Sequence, residues 1–65
     1  MIKPTPKNIK SLRKKCGLTQ TQAAAMIYKN LRIWQNYEKG DLPIDFALWE
    51  LFQLKTILLQ QDNAS

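Results

Sequence analysis

Beyond Pro6 the chain holds only three residues that interrupt a helix outright: Gly17, Gly40 and Pro43. They cut it into helical stretches with connections of a few residues, and the residues beside the cuts are those that start and stop helices. Pro4 and Pro6 mark an extended start. Thr5 is placed to cap a helix with Pro6 at its first position, where a missing N–H costs nothing. That helix is expected over about residues 6–16, with Ile9 and Leu12 facing inward and Lys14 and Lys15 in its last turn, favourable for the helix dipole. Gly17 ends it by taking a left-handed conformation.

Thr19 followed three residues later by Gln22 is a capping box. Ala23, Ala24 and Ala25 carry the second helix toward Tyr28. Asn30 is the next cap, opening a helix from Leu31 to Glu38 that Gly40 ends. Residues 19–38 thus read as two short helices around a tight turn. After Asp41-Leu42-Pro43 nothing interrupts the chain from Ile44 or Asp45 to about Gln61, so a last helix about 25 Å long is expected over residues 45–61. Asp62 to Ser65 is expected to fray. No stretch alternates apolar and polar residues, so no sheet is expected. The predicted fold class is all-α: one compact four-helix domain over residues 1–65.

Sixty-five residues build only a thin core. The lone cysteine, Cys16, excludes an intrachain disulfide and a Cys/His zinc site. It reads as a small boundary hydrophobe, with a redox sensor as the minor alternative. The chain has no histidine and no recognisable nucleophile–base arrangement, so an enzyme is not expected, nor a metal or cofactor. No apolar run approaches the roughly 18 residues of a membrane span. The Met-Ile-Lys-Pro-Thr-Pro start lacks the apolar stretch of a signal peptide, and a cytoplasmic, nucleoid-associated protein is expected.

The net charge of +5 is segregated. Residues 1–40 hold nine cations and one acid, Glu38, or +8; residues 41–65 hold Lys55 against four acids, or −3. This field suits a polyanion on one face and something else on the other. In the tight-turn unit, Ala24 supplies the small residue needed where two helices cross. Trp34 and Tyr37, three apart, face inward from the second helix. Leu31, Arg32, Gln35 and Asn36 are left outward, a polar face of a size that fits a DNA major groove.

Leu18-Thr19-Gln20, Ala24 and Glu38-Lys39-Gly40, at this spacing, resemble the Cro/C1-type (XRE) helix-turn-helix regulators over about Lys7 to Leu54. The segments from Arg32 to Gly40 and from Ala47 to Phe52 also resemble a subgroup of small phage or prophage regulators, including anti-CRISPR-associated repressors. The resemblance implies a lambda-repressor-like fold and a transcriptional repressor. It implies that Gln20 holds a DNA phosphate and that Arg13 and Glu38 form a partly buried salt bridge. The sequence departs from the family at Tyr28, where glycine is common, at Lys29, and at Trp34, which is larger than the usual aliphatic residue. Either Tyr28 then takes a left-handed conformation at some cost or the turn differs slightly, and the three alanines are expected to make room for the Trp34 ring.

Arg32 and Asn36, four apart, are the candidate base readers, joined by Leu31 and Gln35. Asn30, Lys15, Lys29 and Lys39 join Gln20 as phosphate candidates. In the last helix Leu48, Leu51, Phe52 and either Leu54 or the stem of Lys55 are expected inward. Trp49, Ile57, Leu58 and Leu59 are left over as a homodimer interface. The predicted partners are double-stranded DNA and a second copy, with no membrane and no small-molecule effector. The main alternative is an antitoxin-type protein that holds a toxin and autoregulates its operon; an excisionase-like DNA-bending factor is a further one.

Overall fold

The computed structural model describes residues 2–64, with side chains described as far as Gln60. Four helices follow one another: α1 (Pro6–Lys15), α2 (Gln20–Met26), α3 (Leu31–Lys39) and α4 (Phe46–Ala64). Each starts on a cap legible in the sequence or built beside it. Thr5 accepts from the Asn8 N–H, and Pro6 occupies the first helical position. Thr19 and Gln22 close a reciprocal capping box. Asn30 accepts from the Ile33 N–H at 2.9 Å. Asp45 accepts from the Ala47 N–H at the start of α4, so that helix begins at Phe46. It continues to Ala64, past the expected end near Gln61, because no residue in that stretch breaks a helix. Of the tail expected to fray, Ser65 lies outside the described residues.

The first three helices end on a left-handed residue, at Gly17, Tyr28 and Gly40. After α2 the Lys29 N–H donates to Ala24 O and the Tyr28 N–H to Ala25 O, which closes a Schellman motif. Tyr28 therefore does take the left-handed conformation, with φ +63°. A side chain there costs about 1–2 kcal/mol. Lys55 of α4 braces this turn. Its Nζ donates to Met26 O at 2.7 Å and lies 4.6 Å from the centre of the Tyr28 ring. The cation thus satisfies a carbonyl at the end of α2 and contacts the ring of the residue whose backbone carries the strain.

The core comprises Ile9 of α1, Ala23, Ala24 and Ile27 around α2, Trp34 and Tyr37 of α3, Ile44, and Trp49 and Phe52 of α4. Its centre is aromatic. Trp34 lies 4.9 Å from Phe52, and Phe52 lies 6.1 Å from Trp49. Ala23 and Ala24 leave room for the Trp34 ring, whereas Ala25 faces outward, so two alanines are buried rather than the expected three.

Trp49 requires a correction. It was expected at a dimer interface, but it is 0% exposed and its indole N–H donates to Ile2 O at 2.6 Å. Leu54, one of the two residues considered for the inward stripe, is exposed, and Lys55 takes the inward place. Apolar residues surround α4, so its sequence pattern carries little information about which side faces the core. Trp49, Phe52 and Thr56, at spacings of three and four, form the inward line.

Phe52→Ala removes the ring that joins Trp34 to Trp49 and is expected to cost about 3–5 kcal/mol. That is a large share of the stability of so short a chain. Thermal melting followed by circular dichroism should show a strongly lowered midpoint; an unchanged midpoint contradicts this account of the core.

Candidate nucleic-acid interface

The candidate interface is the outward side of α3, and one carboxylate on its inner flank sets its orientation. Glu38 is 6% exposed at its side chain. Arg13 of α1 donates to it through Nε at 2.6 Å and Nη2 at 3.2 Å, a bidentate pair. Gln20 of α2 donates at 3.1 Å, and the indole N–H of Trp34, one turn earlier on α3, donates as well. Arg13 Nη1 also donates to Leu18 O at 3.0 Å. Arg13 and Glu38 thus form the ion pair that the family resemblance implied. Burial pushes the Glu38 pKa upward, but the hydrogen bonds from Arg13, Trp34 and Gln20, with the Arg13 charge, outweigh it and hold the carboxyl below its usual value.

With Trp34, Tyr37 and Glu38 turned inward, helical periodicity leaves Leu31, Arg32, Gln35, Asn36 and Lys39 on the other side. These five, with Asn30, line one shallow open concavity. It holds the donor and acceptor types that read base edges, in Arg32, Gln35 and Asn36, and one apolar side chain, Leu31, suited to a thymine methyl. Asn30 spends its carbonyl oxygen on its own helix cap, which leaves its amide N–H groups free to donate.

A second concavity adjoins the first and is lined by Lys10, Gln20, Gln35, Glu38 and Lys39. Gln20 and Lys39 therefore meet beside the outward face of α3. Gln20 spends one amide N–H on Glu38, so its first task is to brace α2 against α3. Lys10 joins the site, although it is not among the phosphate candidates of the sequence. Its uncompensated charge and its place three residues before Arg13 were the available signals. Lys29 is exposed just after the Tyr28 turn and lines neither concavity. Lys15 lies apart from this group, in a depression shared with Leu12 and with Gln53, Ile57 and Gln60 of α4.

On α4, Ile57, Leu58 and Leu59 are exposed. Phe46 at 70% and Leu54 at 57% exposure extend their surface along the helix. Phe46, Leu54, Ile57 and Leu58 fall within one arc of about 120°. Compared with known proteins, the chain matches no family model and no curated protein.

The lowered pKa of Glu38 gives stability a pH dependence with a definite sign. Its contribution is complete above the usual carboxyl value of 4.5 and is lost as pH falls through the lowered folded value. Glu38→Gln removes the anion that Arg13 needs and is expected to destabilise by about 3 kcal/mol at neutral pH. Its loss of stability on acidification should also be shallower than that of the wild type. Urea titrations at stepped pH measure both, and parallel acid profiles for the two proteins contradict this assignment.

Proposed function

We propose that this chain is a sequence-specific DNA-binding transcriptional repressor of the Cro/C1-type helix-turn-helix kind, acting as a homodimer that occupies an operator. The observation that carries this reading is the outward face of α3, where base-reading groups and cations gather in one concavity while the inner flank is fixed by Glu38. α3 enters the major groove. Arg32 and Asn36 read guanine and adenine edges, with Gln35 and Leu31 beside them. Asn30, Lys39 and Gln20 hold the flanking phosphates, and Lys29 supplies charge from the turn. The net positive front half supports this reading, since phosphate neutralisation supplies most of the affinity for DNA.

The exposed arc of α4 supports the dimer. A two-fold pair places two recognition helices about 34–36 Å apart, one turn of DNA. The same arc favours the second reading, an antitoxin-type protein that covers it with a toxin.

A duplex enriched from a random pool is the probe for the first part of the proposal. Arg32→Ala should weaken binding to that duplex by about 1–3 kcal/mol, relax the preferred base at one position, and leave the melting temperature unchanged. Equal affinity of variant and wild type in a fluorescence-anisotropy titration sinks the assignment. For the dimer, Leu58→Glu places a charge in the exposed arc. Light scattering should give the mass of two chains for the wild type and of one for the variant. A wild type with the mass of one chain refutes the homodimer and leaves the arc to another protein.

A further inference from the structure

Three lysines of α1, Lys7, Lys10 and Lys14, are exposed and spaced three and four residues apart. Helical geometry puts them in one arc about 60° wide. The rest of α1 is committed elsewhere. Ile9 is in the core, Arg13 reaches Glu38 on the flank toward α3, and Lys15 sits on the flank toward α4. Lys10 lines the concavity that holds Gln20, Gln35 and Lys39, so this arc continues the recognition face of α3 sideways onto α1.

The arc is also uncompensated. Residues 1–37 contain no acid at all, and the first one, Glu38, is taken by Arg13. Like charges at these spacings destabilise a helix by a few tenths of a kcal/mol per pair, and a surface that serves only solubility relieves that by interspersing acids. The chain does intersperse them after residue 40, where four acids accompany Lys55. In α1 it does not. The distance from Lys7 to Lys14 along the helix is about 10 Å, close to the axial rise from the first to the fourth of four successive phosphates on one DNA strand.

We infer that Lys7, Lys10 and Lys14 form a phosphate track that holds the sugar–phosphate backbone of duplex DNA flanking the groove entered by α3. The inference rests on the DNA-binding reading and adds to it a second, sequence-independent contact surface on a different helix. These lysines set affinity for all duplexes alike, and α3 sets the choice among them.

The test is the salt dependence of binding for the triple variant Lys7→Gln, Lys10→Gln, Lys14→Gln, in which glutamine keeps helix propensity. Anisotropy titrations use the enriched duplex and a scrambled duplex between about 50 and 200 mM salt. Each lysine that neutralises a phosphate contributes about 0.9 to the slope of log K against log salt, so the slope should fall by two to three per chain. Affinity should drop by the same factor for both duplexes. The corresponding triple Lys→Arg variant should keep the slope, and Lys15→Gln, on the α4 side, should leave it unchanged. Circular dichroism checks that each variant folds. If the wild type prefers the enriched duplex but the Gln variant keeps the wild-type slope, the phosphate track is refuted and the α3 reading stands. If the wild type binds neither duplex, both fail.

Discussion

The structure depends on where one buried negative charge goes. Glu38 is the only acid in the first forty residues, and burying it is tolerable only because donors surround it. Those donors come from three helices: Arg13 on α1, Gln20 on α2 and Trp34 on α3 itself. The interaction therefore does more than join two elements. It fixes the rotation of α3 about its own axis, because Trp34 and Glu38 stand one turn apart on the inward side. Once they are placed, periodicity leaves Arg32, Gln35, Asn36 and Lys39 facing out. The indole N–H on the carboxylate also lets Trp34 be fully buried, since its one polar atom has a partner.

A second constraint acts from the other side. The turn between α2 and α3 is left-handed at a tyrosine, and Lys55 from the middle of α4 contacts it. α4 is therefore tied to the turn that aims α3, as well as to the aromatic core. The cation has been drawn from the acidic half of the chain to satisfy a carbonyl at the end of α2. Among the described residues no helix is long and apolar enough to cross a membrane.

How much of this was legible in the sequence varied with the kind of signal. Caps and left-handed stops are local: the side chains of Thr5, Thr19 and Asn30 cap their helices, and Gly17 and Gly40, with no Cβ, take the left-handed stops. The inward pair Trp34 and Tyr37 was legible because α3 is polar on its other side. The orientation of α4 was not, because a helix apolar all round gives no phase, and Trp49 was therefore assigned to the surface. The donors from Gln20 and Trp34 to Glu38, and from Lys55 to Met26, join residues that only tertiary packing brings together. The spacing of Lys10 from Arg13 is a weak mark among nine front-half cations, and only tertiary packing sets it beside Gln20 and Lys39.

In the proposed function, the face opposite Trp34 and Glu38 is the one that meets DNA. An NMR titration of the isotopically labelled protein with the enriched duplex tests it most directly. The account predicts that amide shifts concentrate on residues 30–39 and on Lys10, with the buried line of Trp49 and Phe52 little affected. Shifts confined to the exposed arc of α4, or none at all, would contradict it.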